Sequence, residues 1–291
     1  MPELPEVETI ARGLAKRVTG DVVESVWLGS KPQTFKSRPA QIAAALEGKR
    51  IGEVRRMGKH IVFELEGRSK RSGVGSQPKS KAAGGGARST QAKAQWIVHL
   101  GMTGRMVVCP PDAKIEKHTH AILKLGSGNE LRFVDPRRFG RLSVVTESSF
   151  DPGGIEPMAV HAENFVSMFR GRNTPIKSAL LNQKLLRGVG NIYADESLFR
   201  SGIRPRRRAA TLTREQLNKL MAAVKEVLAE AIALGGSSVS DYVDADGEEG
   251  FFQLQHRVYG REGEPCLVCK SPVKRVVIAG RSSHYCPKCQ R

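Results

Sequence analysis

Four cysteines crowd the last 26 residues as Cys266-x2-Cys269 and Cys286-x2-Cys289, with 16 residues between the two pairs. Two such knuckles suit a closed tetrahedral site for one structural Zn2+, which ties the end of the chain into a small metal-held unit. Between them, Val273–Ala279 and Ser282–Tyr285 read as a β-hairpin turning at Gly280-Arg281. That turn presents Arg281 at its tip, for contact with a groove or backbone or simply for solvation. Cys109 stands apart and reads as a small core residue.

The opposite end is equally unusual. Met1-Pro2-Glu3-Leu4-Pro5-Glu6-Val7-Glu8 sets two prolines and three carboxylates before an amphipathic pattern. If Met1 is removed, which a small second residue favours, Pro2 carries a free secondary amine. Such an amine is partly unprotonated near neutrality and can attack an electrophilic carbon to form an iminium. The plainer alternative is a helix start, with Pro5 in the first turn and Glu6 and Glu8 at the positive helix end. Val7, Ile10, Leu14 and Val18 then form one helix face ending near Thr19-Gly20.

Strand-like runs follow at Val22–Leu28, Ile51–Arg55, His60–Leu65, Trp96–Leu100, Arg105–Val108, Ala121–Leu125, Glu130–Val134 and Leu142–Val145. A short helix is expected at Gln41–Leu46. Residues 1–150 therefore read as a β-sandwich or barrel with the amino-terminal helix on one side. The stretch 67–95 breaks the pattern, with six Gly, seven Lys or Arg, no acid, and Val74 as its one large aliphatic. It is expected to be a disordered basic insertion, either tolerated at the surface or tethering nucleic acid. Asp151–Pro157 reads as a linker. Beyond it helices are expected at Ala162–Arg170, Ile176–Gln183, Asn191–Ser201 and Thr213–Leu234, the last with a Thr213/Gln216 capping box. Gly188-Val189-Gly190-Asn191 opens one of them, as a phosphate-binding helix start or as an ordinary helix corner.

The 291 residues carry +18 with a pI near 10.0. Removing the seven charges of the insertion still leaves +11, so the basic character belongs to the rest of the chain. This points to a polyanionic partner, since neutralising phosphates releases counterions. There is no run of 18 apolar residues and no signal segment, which leads us to expect a soluble intracellular protein with no membrane partner.

Taken together, these stretches resemble the bacterial formamidopyrimidine-DNA glycosylases. The resemblance covers Pro-Glu-Leu-Pro-Glu-Val-Glu-Thr at the start, His-Leu-Gly-Met-Thr-Gly at 99–104 and Asp-Pro-Arg-Arg-Phe-Gly at 135–140. It continues with Gly-Val-Gly-Asn-Ile-Tyr-Ala at 188–194, Val-Tyr-Gly-Arg at 258–261 and the four-cysteine finger. The insertion departs from the family, which usually has a short turn there. The resemblance implies an α+β multidomain fold, with an N-terminal β-sandwich and helix at 1–150. A helix-two-turn-helix domain at 151–240 and a lesion-capping loop with the zinc-finger hairpin at 241–291 complete it. It implies a bifunctional base-excision-repair glycosylase and AP lyase acting on oxidised purines such as 8-oxoguanine in double-stranded DNA. By resemblance Pro2 is the nucleophile at the sugar C1′ and forms a Schiff base, Glu3 is the acid, and Lys59 aids β,δ-elimination. Arg281 would contact the phosphates flanking the lesion, and His118, Arg137, Arg172 and Asn191 match further phosphate-contacting positions; Arg172 stands where the family often has lysine. Met102, Arg137 and Phe139 match the trio that fills the void left by the flipped base.

The family implies a monomer in the bacterial cytoplasm, at the nucleoid. Alternatives are an endonuclease VIII-like enzyme for oxidised pyrimidines or a non-catalytic zinc-containing DNA-binding protein. Leu4, and the likeness of Gly235–Tyr259 to the 8-oxoguanine-covering loop, weigh against the first. Intact Pro2, Glu3 and Lys59 weigh against the second.

Overall fold

A computed structural model describes residues 2–67, 94–238 and 250–291. The expected disordered insertion thus lies almost wholly outside the described residues, as does the middle of the expected lesion-capping loop.

Helix α1 (Leu4–Val18) begins where Glu3 leaves the extended region and ends with Lys16 and Arg17 in its last turn, a favourable pairing of cations with the helix dipole. Its apolar stripe is buried at Leu4, Val7, Ile10, Ala11, Leu14 and Val18. Strand β1 (Val23–Leu28) and helix α2 (Pro39–Leu46) follow, then β2 (Arg50–Met57), β3 (His60–Glu66), β4 (Ala94–His99), β5 (Arg105–Cys109), β6 (Thr119–Leu125), β7 (Glu130–Val134) and β8 (Arg141–Val145). These strands form two antiparallel four-stranded sheets, ordered β1-β6-β7-β5 and β2-β3-β4-β8. One core joins both sheets to the inner faces of α1 and α2, with Phe63 packed on Trp96 at 4.7 Å between ring centroids. Half-buried Cys109 ends β5.

The second half is helical: α3 (Ala162–Phe169), α4 (Ile176–Leu180), α5 (Asn191–Ser201) and α6 (Arg214–Ala233). The capping box of α6 is formed in both directions, Gln216 N–H to Thr213 Oγ1 and Thr213 N–H to Gln216 Oε1. Helix α4 is shorter than the periodicity predicts. Asn182 accepts the Lys184 N–H in a local turn, and the Gln183 side chain bends back to Leu181 O, Val189 O and the Gly188 N–H. Side chains of this type offer the backbone an alternative to helix. The helices share a second core, and Leu4 of α1 belongs to it. Helix α1 therefore contributes its first turn to one core and the rest of its length to the other.

Strands β9 (Lys274–Ile278) and β10 (Arg281–Tyr285) make the terminal hairpin. Its two-residue loop is Ala279-Gly280, both at positive φ, one residue earlier than the sequence reading of Gly280-Arg281. Positive φ at both loop residues matches the right-handed twist of a hairpin, so Arg281 is the first residue of β10 and pairs with Ile278. None of the helices described is long and apolar enough to cross a membrane.

Candidate active site and nucleic-acid interface

Glu3 is the centre of the site. Its carboxylate lies against the start of α5, where Oε1 accepts the Ile192 N–H at 3.3 Å and Oε2 is buried without a partner. Gly190, the N-cap of α5, makes this approach possible: a Cβ there would stand 2.1 Å from Glu3 Cδ. Gly188, at φ +91, wraps Leu4 in the same way, and its carbonyl accepts the Leu4 N–H at 3.0 Å. The two glycines left open by the sequence thus seat the beginning of α1 on α5, and the anion nearest this helix start is the protein's own carboxylate. Pro2, next to Glu3, is buried.

Burial raises the Glu3 carboxyl to about 7, a rise that the Lys59 cation and the Ile192 N–H oppose and Glu6 reinforces. Glu6 is buried too and accepts from the Glu3 N–H, the Ser237 N–H and the Tyr193 hydroxyl. Burial raises its carboxyl as well, against those three hydrogen bonds. Lys59 occupies the β2–β3 turn within reach of the same charges. Burial pushes its ammonium below the usual lysine value, the Glu3 and Glu6 carboxylates oppose this, and Arg281 adds to it. The fold thus brings Pro2, Glu3, Lys59 and Arg281 into one electrostatic neighbourhood, from residues at both ends of the chain.

Each arm is braced. The Lys59 turn is held by Glu156, whose Oε1 accepts the Gly58 N–H at 2.9 Å and Arg56 at 2.8 Å, with Arg187 at 3.1 Å. Arg56 also grips Glu8 of α1 and donates to Gly58 O. Replacing Glu156 by glutamine is expected to lower the rate of the chemistry at this site by roughly tenfold and to raise KM less, since a misplaced group costs more than a lost contact. A raised KM with an unchanged rate would show that the brace serves binding alone. The hairpin is docked by a buried ion pair, Lys177 to Asp195 at 2.6 Å, with Lys177 also donating to Ser282 O and Asp195 accepting the His284 N–H. Glu196 caps three successive amides, those of Arg257, Val258 and Tyr259.

A second group forms where the β4–β5 and β7–β8 loops meet backbone to backbone. A Cβ on Gly101 would lie 2.4 Å from Gly140 N. Thr103 latches the pair, donating to Asp135 and accepting the Arg137 N–H, while Asp135 also accepts the Gly140 N–H. Met102 and Phe139 remain 39% and 47% exposed at this junction, and the Arg137 guanidinium lies 5.1 Å over the Phe139 ring. Exposed apolar tips beside an arginine suit a gap in a base stack.

Asn191 opens α5, and its side-chain Oδ1 is buried without a hydrogen-bond partner among the described residues. His118 sits half-buried just before β6, its carbonyl taking the Asp135 N–H. Arg172 lies apart from these, on the loop after α3, donating to Met168 O and tied through its carbonyl to Ala210. The base of the expected lesion-capping loop is zipped through Ser237, Gly250 and Phe251, and residues 239–249 lie outside the described set.

The four cysteine Sγ atoms all fall within 4.8 Å of one another, with Cys269–Cys286 at 3.3 Å and Cys266–Cys289 at 3.9 Å. A tetrahedron of about 2.3 Å Zn–S bonds has edges of about 3.8 Å. The donor set fits one structural Zn2+ that would clamp both ends of the hairpin.

Family models match this chain in three consecutive pieces: the formamidopyrimidine-DNA glycosylase N-terminal domain over residues 1–142, the formamidopyrimidine-DNA glycosylase H2TH domain over 154–243, and the zinc finger found in FPG and IleRS over 263–291. Formamidopyrimidine-DNA glycosylase of Solibacter usitatus is 44% identical and that of Gluconobacter oxydans 41%, each alignment covering 100% of both chains. Among solved structures, the MutM (FPG) protein of Thermus thermophilus superposes with a TM-score of 0.81 at 40% identity, covering 99% of this chain and 98% of that one. The Lactococcus lactis Fpg in complex with DNA containing an abasic site gives 0.84 at 32% identity, covering 99% of each.

Proposed function

Because this chain belongs to the formamidopyrimidine-DNA glycosylase family and is a DNA glycosylase of base excision repair, we propose that it removes oxidised purines through the amine of Pro2. The observation carrying the mechanism is the buried Glu3 carboxyl, raised to about 7 beside that amine. A group near half-protonation at neutral pH can give a proton at the start of a reaction and take one later.

The target base is extruded from the stack, at a cost of a few kcal/mol on the order set by unstacking one base. Met102 and Phe139 fill the gap, and Arg137 hydrogen-bonds the orphaned partner. The Pro2 nitrogen forms a bond to C1′ as the C1′–base bond breaks, and Glu3 protonates the opening sugar ring oxygen. The resulting iminium acidifies the neighbouring C2′–H. Lys59, with its lowered ammonium pKa, aids its removal, so that the 3′ phosphate leaves by β-elimination and the 5′ phosphate by δ-elimination. Water then hydrolyses the adduct and restores the amine. Arg281, His118, Asn191 and Arg172 hold phosphates. The zinc ion, when bound, supplies no chemistry and fixes the hairpin that carries Arg281. In this reading the protein works as a monomer on duplex DNA, in the cytoplasm and at the nucleoid.

Borohydride added to the protein with an 8-oxoguanine:C duplex is expected to trap a covalent adduct. Protein retaining Met1, whose proline nitrogen is an amide, is expected to give none. An adduct of undiminished yield from the blocked protein would overturn the Pro2 assignment. Preferential trapping on a thymine glycol duplex would move the substrate class to oxidised pyrimidines.

A further inference from the structure

Between Phe165 and Thr213 the chain has ten Lys and Arg and only two acids, Asp195 and Glu196, both fully buried. The exposed surface of this stretch is therefore of one sign. Several of its cations are committed: Arg187 to Glu156 and Asp151, Arg200 to Glu230, Lys177 to Asp195. Arg204 is spent on the carbonyls of Pro287 and Gln290, and Arg207 on Thr211 and Gln216. Arg170, Arg206 and Arg208 are exposed and have no carboxylate partner among the described residues.

These three are built onto one continuous surface. Residues 172–176 run alongside 207–210, with Ala210 N–H to Arg172 O at 2.8 Å, Ala209 N–H to Thr174 O at 3.0 Å and Ile176 N–H to Arg207 O at 2.8 Å. Pro175 bridges Arg208. From the other side, the Arg206 guanidinium reaches Val277 O of β9 at 3.4 Å, and Val277 pairs with Ser282, the neighbour of Arg281. Backbone pairing thus joins the segment carrying Arg206 and Arg208 to the loop that follows Arg170 at the end of α3, and Arg206 ties that segment to the hairpin that carries Arg281. An exposed surface of one positive sign attracts a polyanion.

We propose that Arg170, Arg206 and Arg208 are a phosphate track for the duplex flanking the lesion, extending the interface beyond the nucleotides next to the active site. The inference rests on the DNA-binding reading of Arg281 for its starting point. The track recognises backbone charge and carries no base information, so it acts on damaged and undamaged DNA alike.

Binding is measured on undamaged duplexes of about one and about three helical turns, at roughly 10 bp per turn, across a salt series. On the long duplex, R206Q/R208Q is expected to reduce the slope of log K against log[salt] by about 2, near 0.9 for each lost phosphate contact. On the short duplex it is expected to leave the slope unchanged, and R206K/R208K is expected to keep the parent slope on both. R170Q, which removes a guanidinium with no hydrogen-bond partner among the described residues, is expected to lose about 0.9 on the long duplex alone. An unchanged slope on the long duplex for R206Q/R208Q and R170Q, or equal losses on both lengths, would overturn the track. Borohydride trapping on a short lesion duplex reports the chemistry separately: its absence would sink the Pro2 mechanism while the binding series still decides the track.

Discussion

Replacing Glu3 by glutamine is expected to slow base excision by roughly 10²–10⁴-fold, the range for loss of a positioned general acid. The pH profile makes the expectation specific. Burial raises this carboxyl to about 7, so the proton-bearing form that the proposed first step requires dominates below that value and disappears above it. Single-turnover excision should fall on the acid side as the proposed Pro2 amine takes up a proton, and fall about tenfold per pH unit above neutrality as Glu3 loses its own. The glutamine variant should retain a small rate without that limb. A parent profile with no inflection near neutrality would remove Glu3 from the role of acid.

The same shift has a stability consequence of opposite direction. A carboxyl whose folded pKa lies above its unfolded value favours folding at low pH, and that contribution is lost as pH rises through the folded value. With the unfolded reference at 4.5 and the folded value at about 7, ionised Glu3 costs roughly 3 kcal/mol above neutrality. Glu3→Gln is therefore expected to melt higher than the parent above pH ~7, where loss of an ordinary capping contact would lower it. Thermal melts of both proteins on either side of neutrality test this, and a lower midpoint for the variant at alkaline pH would contradict it.

Removal of zinc is expected to have the second largest effect. The hydrophobic cluster of the finger contains only Phe199, Val258, Cys266, Val273 and Cys286 as buried members, and two of the five are metal ligands. So small a core cannot order two strands unaided, and structural zinc sites contribute on the order of 10 kcal/mol. Without the ion, β9 and β10 lose their clamp, and Arg281 and the Arg206 contact at Val277 lose their support. Chelation, or Cys286→Ser, is expected to weaken duplex binding by 100-fold or more, on the order of 3 kcal/mol, and to abolish borohydride trapping. Helical circular dichroism should persist, because the α3–α6 core does not depend on the finger. Metal-free protein that binds duplex with unchanged affinity would contradict this account.

What the sequence revealed was set by whether the cause was local. The stripe of α1, the alternation in the strands and the glycines around Asn191 are near-neighbour patterns, and the two sheets and the long helices lie close to where those patterns put them. Helix α4 stops early because Asn182 and Gln183 turn their side chains onto the backbone, a choice that periodicity does not register. The hairpin loop fell one residue away because Ala279 accepts a positive φ that composition would assign to glycine alone. Long-range partners were the real gap. Glu6 looked like a helix-start charge, yet it accepts from Tyr193 and Ser237, 187 and 231 residues away. Asp195 and Glu196, adjacent on α5, brace two different segments of the terminal region, and nothing in their local sequence distinguishes them from surface acids. The Thr103 latch under Met102 and Arg137 was likewise invisible, since its partner Asp135 sits 32 residues on.

Helix α1 has its first turn in the helical core and its remaining turns in the sandwich, with Pro2 at its head. A ribosome delivers that proline first and the residues completing its surroundings late. Gly190, which makes room for Glu3, emerges about two-thirds of the way through synthesis, and Arg281 emerges last. At roughly 5–20 residues per second the amine spends tens of seconds outside any site able to bring a sugar to it. A chain stalled or cleaved before α5 keeps Pro2, the proposed nucleophile, but has no seat for the Glu3 carboxylate beside it. The buried seat that raises the Glu3 carboxyl therefore exists only once α5 has been made.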